Sequence, residues 1–81
     1  MCPSVVKAVA GEDFTLAIVL DNGEGGVLDM KPYLGVGVFQ RISHPADFQH
    51  VRVAFDTVEW DRGVDLDPEF VYSKCRITSR A

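Results

Sequence analysis

The side chains able to do acid, base or nucleophilic chemistry are few and widely spaced. His44 and His50 stand six residues apart, a separation that does not place two metal ligands on one helical face. Neither has a cysteine or carboxylate at a recognisable ligand spacing, so both read as solvent-exposed or helix-capping groups. Ser4, Ser43, Ser73 and Ser79 all lie outside a G-x-S-x-G elbow, which leaves a hydrolase reading without its nucleophile. Gly23, Gly25 and Gly26 lack the Lys-Ser/Thr pair of a phosphate loop, and Asp61 to Asp65 do not follow the EF-hand spacing. Cys2 and Cys75 form no C-x-x-C unit and read as free thiols, since a bridge requires their Cα atoms within about 7 Å. No cofactor and no metal is expected.

One charge feature stands out. Asp56, Glu59, Asp61, Asp65, Asp67 and Glu69 fall within fourteen residues that hold a single base, Arg62, leaving a local charge of −5. Such a segment reads either as a solvated rim with one helix cap or as a docking face for a basic protein surface, where complementary charge speeds association. On the second reading the partner-binding residues are Glu59, Asp61, Arg62 and Asp65, with Tyr33 as an aromatic contact. Trp60 shares its parity with Val58 and reads as a core residue whose indole N–H needs one acceptor.

The elements that position these groups follow from periodicity. With 81 residues, residues 1–81 make a single domain with one core. Its net charge of −4 argues against a general phosphate-binding surface and so against direct nucleic-acid binding. No stretch reaches the roughly 20 apolar residues that span a bilayer, and the N-terminus does not read as a secretory signal. A cytoplasmic location is expected.

Val5 to Ala10 reads as a strand. Phe14, Leu16, Ile18 and Leu20 recur at period two and put four large side chains on one sheet face. Thr15, Ala17 and Val19 form an opposite face that is only partly polar, so a helix or another subunit is expected to cover part of it. Asn22-Gly23 predicts a two-residue turn with both residues at positive φ, folding strand two onto a third strand over about 24–30. Lys31 to Leu34 suits one helical turn, and Pro45 opens a brief helix. Val51, Val53 and Phe55 then alternate, with Val58 and Trp60 continuing the inward parity after Asp56-Thr57, which predicts a second hairpin. Asp67-Pro68-Glu69 supplies an N-cap, a proline at N1 and an acid in the first turn of a last helix, after which Thr78 to Ala81 are expected to fray. The fold class is α+β: one antiparallel sheet of about five strands, a meander plus a hairpin, with two or three short helices on one side.

These pieces, in order, resemble the small bacterial domain-of-unknown-function 2442 family. The resemblance runs from about Val6 to Tyr72. It is carried by Phe14-Thr15-Leu16, Asp21-Asn22-Gly23-Glu24, Asp29 to Leu34, Gly37-Val38-Phe39, Phe48, Val51-Arg52-Val53, Trp60 and Gly63 to Tyr72. It implies a short α+β protein of unassigned biochemistry, some of whose relatives are fused to a helix-turn-helix and many encoded beside a second small protein in toxin–antitoxin-like pairs. His44 replaces the acid that relatives often carry before the proline, and Asp61-Arg62 replaces a Pro-Asn pair. By resemblance the chain is a lone partner-binding domain, the antitoxin-like or regulatory member of a two-protein pair. A small metal- or ligand-dependent enzyme using His44, His50 and the acids, or a structural homodimer, are the alternatives.

Overall fold

The computed structural model describes residues 2–80, with the side chain of Arg62 excepted. The N-terminal meander forms as the alternation requires: β1 (Val5–Ala10), β2 (Thr15–Leu20) and β3 (Gly25–Asp29) pair antiparallel in sequence order. Leu16, Ile18 and Leu20 are buried, while Ala17 and Val19 face outward. Phe14 falls just before β2 in a left-handed conformation (φ 61°). Its ring is held edge-on against Phe48 at 5.2 Å, a contact that offsets the backbone cost of that conformation for a residue with a Cβ.

The loop at Asn22 differs from expectation. Leu20 and Glu24 close a three-residue loop, with the Leu20 N–H donating to the Glu24 carbonyl at 2.8 Å. Gly23 (φ 88°) is its one left-handed residue. This is the longer hairpin loop in which a turn is followed by a glycine in the left-handed region. Asn22 serves through its side chain instead: Oδ1 accepts from the Glu24 N–H at 3.0 Å, and Nδ2 donates to Glu24 Oε1 at 2.7 Å.

The single five-stranded sheet is corrected to two antiparallel sheets with seven strands among the described residues. One sheet has the order β1-β2-β3-β7, where β7 (Arg76–Ser79) lies on β3. Thr78 and Ser79, expected to fray, are therefore in a strand. The other sheet is β4 (Arg52–Ala54), β5 (Thr57–Trp60) and β6 (Val64–Asp65). The helices are α1 (Pro45–Phe48) and α2 (Pro68–Lys74), with 3-10 turns at Lys31–Tyr33, Gly37–Ile42 and Asp61–Gly63. As expected, Pro45 and Pro68 open the two α-helices, and Asp67 caps the second by accepting from the Glu69 N–H at 2.8 Å. The two sheets meet along β1, which lies against β4 and β5. Leu16, Ile18, Leu28, Met30, Phe48, Val58, Trp60 and Val71 belong to the one core cluster. Trp60 is buried there as expected, and its Nε1 donates to the Phe48 carbonyl at 2.9 Å.

The second hairpin turns one residue earlier than the alternation suggests. Ala54 pairs with Thr57, leaving Phe55 (φ 52°) and Asp56 (φ 68°) as a two-residue primed turn. The left-handed geometry ejects the Phe55 ring, which is 92% exposed instead of inward. Asn-Gly is the pair this turn prefers. Combining Phe55→Asn with Asp56→Gly should therefore stabilise the domain by about 1–2 kcal/mol, raising the melting temperature by about 5–15 °C. Thermal denaturation followed by circular dichroism checks this, and an unchanged or lower midpoint contradicts a strained turn.

Candidate functional site

The acidic segment divides between two places. Across the three-stranded sheet, Arg52, Glu59 and Asp65 stand in one row by register. Arg52 Nη1 reaches Asp61 Oδ1 at 2.7 Å and its Nη2 lies 3.7 Å from Glu59 Oε2. His50 Nδ1 lies 3.1 Å from Asp61 Oδ2. The structure thus gathers Glu59, Asp61 and Asp65, and it places two groups that the acidic count overlooked beside them: the Arg52 guanidinium against Glu59 and Asp61, and the His50 imidazole against Asp61. Arg62 belongs to the 3-10 turn, but its side chain lies outside the described residues. Tyr33 is half-buried and packs edge-on against Phe70 at 5.1 Å. No ion pair or ring contact among the described residues joins it to the acids.

Hydrogen bonds set the titration of three exposed carboxylates. Arg52 and then His50 hold Asp61 below its ordinary 3.8. The Thr15 hydroxyl does the same for Asp13, and the Lys31 backbone N–H for Asp29. Groups depressed in the folded state contribute stability that is complete above 3.8 and is lost as pH falls through their lower folded values. The melting temperature should therefore change little from neutrality down to about pH 4 on account of these groups, then fall. Asp61→Asn should flatten that fall, which a series of thermal melts from pH 6 to pH 2 measures; an identical slope for wild type and variant contradicts the assignment.

The remaining acids converge elsewhere. Asp56, Asp67 and Glu69, with Cys2, Ser4 and Pro68, line a hollow of about 360 Å³. Asp67 is engaged as the cap of α2, whereas no cation among the described residues lies within ion-pair distance of Asp56 or Glu69. Phe55 sits immediately before Asp56 at the hairpin tip. Its exposure was missed by the alternation, and the available signal was the gap itself: two runs, 52–54 and 57–60, separated by two residues.

Other polar groups work structurally. Glu24 is buried and accepts from Asn22, Arg80 (2.7 Å) and the Tyr72 hydroxyl (3.4 Å), tying the first hairpin loop to α2 and to the residue that follows β7. Cys2 and Cys75 are free thiols. Burial pushes the Cys75 thiol above its ordinary value, and the Glu24 charge adds to this, so it stays neutral and poorly nucleophilic. His44 precedes α1 without a side-chain cap bond. Among the described residues no group of three or more His, Cys, Asp and Glu gathers to hold a metal ion, and no helix is long and apolar enough to cross a membrane.

Paired strands with the Asn22-Gly23 loop, the capped Asp67-Pro68 helix and the buried Trp60 reproduce the ordered pieces that carry the resemblance. Residues 5–76 match the family described as protein of unknown function (DUF2442). The chain belongs to this family. No curated protein and no solved structure matches it. The match to DUF2442 takes in both sheets up to the first residue of β7, so the two sheets, the capped α2 and the Phe55 turn all fall within the family's bounds.

Proposed function

We propose that this chain is a non-catalytic protein-binding module, the antitoxin-like or regulatory member of a small two-protein bacterial pair that meets its partner in the cytoplasm. The observation that carries this reading is Phe55, a large aromatic left 92% exposed at a hairpin tip whose backbone favours asparagine or glycine. An exposed apolar ring at a left-handed position costs backbone energy and adds nothing to the core, and binding is the gain that offsets it in this reading. Interfaces concentrate their energy in an aromatic anchor surrounded by polar groups that exclude water. In this reading Asp56 and Glu69, which line one hollow, supply the nearby polar contacts, and Glu59, Asp61, Arg62 and Asp65 extend the contact from the other end of the three-stranded sheet. Tyr33 stays a secondary contact in this reading. The partner is a basic protein surface with an apolar recess.

Affinity capture from the source cells with tagged wild type, Phe55→Asn and Glu69→Lys tests this. The expected result is one protein retained stoichiometrically by wild type, rebuilt as a complex from purified components, and weakened at least tenfold by each substitution. Phe55→Asn should at the same time melt no lower than wild type, which separates a binding role from a folding one. Retention of nothing, or equal retention by all three proteins, overturns the reading.

A further inference from the structure

The outer face of the four-stranded sheet carries exposed apolar side chains away from the hairpin tip. Direct cross-strand partners share a face in an antiparallel sheet. The register therefore places Val9, Ala17, Val27 and Arg76 in one outward row, and Lys7, Val19, Gly25 and Ser79 in the next. Val9 is 53% and Val19 39% exposed. Ala17 is exposed as well and Val27 half-buried, while the core, with Leu16, Ile18 and Leu28, occupies the opposite side. Among the described residues Ala17 and Val19 stay exposed, so the expectation that something besides water covers their side is unmet there.

Charge and dimensions say what fits. Lys7 stands on one edge strand and Arg76 on the other, and neither makes an ion pair among the described residues. Asp29, at one end of the face, is already paired with Lys31 at 3.1 Å. Asp13 stands at that same end, accepting from the Thr15 hydroxyl at 2.7 Å, so the two charges left beside the valines, Lys7 and Arg76, are both cations in a chain whose net charge is −4. A second copy stacked on it would set cations against cations. Four strands are about 14 Å across at about 4.8 Å spacing, close to the 10–12 Å diameter of one α-helix. We propose that this face receives an amphipathic helix of a protein partner, its apolar stripe on Val9, Ala17, Val19 and Val27 and its acidic flanks against Lys7 and Arg76. A helix laid over an apolar sheet face is the layer arrangement that sheets adopt generally.

The probes are two synthetic peptides of about 18 residues with the same leucine stripe at helical spacing, one flanked by glutamates and one by lysines. Amide chemical shifts of the labelled protein and fluorescence anisotropy of the labelled peptides read the outcome. The expected result is perturbation confined to β1, β2, β3 and β7, binding of the glutamate peptide at least tenfold tighter than of the lysine peptide, and reversal of that preference in Lys7→Glu combined with Arg76→Glu. Val19→Asp, at an exposed position, should abolish binding while leaving the far-UV spectrum unchanged. Equal binding of both peptides, perturbation elsewhere, or concentration-dependent self-association that shifts the same amides would overturn the proposal, the last by naming a second copy as the occupant. Phe55→Asn should leave these peptide affinities unchanged, so this surface stands or falls apart from the hairpin tip.

Discussion

Gly26→Ala should lower the melting temperature by about 12–24 °C, whereas Gly25→Ala next to it should leave it nearly unchanged. The contrast is geometric. A Cβ on Gly26 would stand 2.5 Å from the Arg76 carbonyl oxygen and 2.7 Å from Cys75 Sγ, while one on Gly25 would meet nothing closer than 3.6 Å. Gly26 faces inward between Ile18 and Ile77, where β7 crosses close to β3. The obstructing carbonyl is backbone and has no rotamer to change, so β7 must move as a unit. Overpacking of this kind costs about 3 kcal/mol, and a domain of this size shifts by about 4–8 °C for each kcal/mol. Adding Cys75→Ala removes the sulfur and leaves the carbonyl, so the double variant should recover only part of the loss. Thermal melts of the four proteins decide it. A Gly26→Ala protein as stable as Gly25→Ala would mean that β7 does not lie on β3 as described.

That strand also marks where sequence pattern stops being informative. The meander was legible because Leu16, Ile18 and Leu20 alternate against Ala17 and Val19, and a period of two has one structural meaning when one face is buried. The α2 start was legible for a different reason: Asp67, Pro68 and Glu69 each satisfy a separate requirement of a helix N-terminus. β7 offers neither signal. Arg76-Ile77-Thr78-Ser79 has one large apolar residue and no partner nearby in sequence, and its pairing with residues 25–27 depends on a close approach that only Gly26 permits. β6 is two residues long, below the length at which alternation has content. The single sheet was inferred because nothing local distinguishes a hairpin that extends a sheet from one that begins another.

The candidate site divides similarly. The acids were visible as a run, but a charge count along the chain does not see Arg52 and His50 arriving across strands to meet Glu59 and Asp61. Phe55 was read as inward because a hairpin shifted by one residue reverses the face of its tip, and parity alone does not locate the turn. What located it was the pairing of Ala54 with Thr57, a tertiary fact. The preference for Asn-Gly at such a turn explains why Phe55-Asp56 went unrecognised as one: the residues that occupy it are the ones local energetics selects against.

Trp60→Ala should remove most of the domain's stability at 25 °C. The indole is 1% exposed, its ring centroid is 5.6 Å from that of Phe48, and its N–H satisfies the Phe48 carbonyl. It joins β5 to α1, two elements too short to persist on local propensity, so the loss is felt by both. Truncating a buried tryptophan costs about 3–5 kcal/mol, and the orphaned carbonyl adds about 1–3 kcal/mol where water does not reach it. Against this stands a total of about 4–12 kcal/mol for 81 residues. Trp60→Phe keeps most of the ring and loses only the donor, so it should remain folded and be destabilised by about 1–3 kcal/mol, with the midpoint of urea denaturation reporting the difference. Because Trp60 is the one tryptophan in the chain, far-UV circular dichroism must replace fluorescence for both variants. A Trp60→Ala protein with a cooperative transition near the wild-type midpoint would show that the core closes without this side chain, and that the two sheets are held by the Leu16, Ile18 and Leu28 side alone.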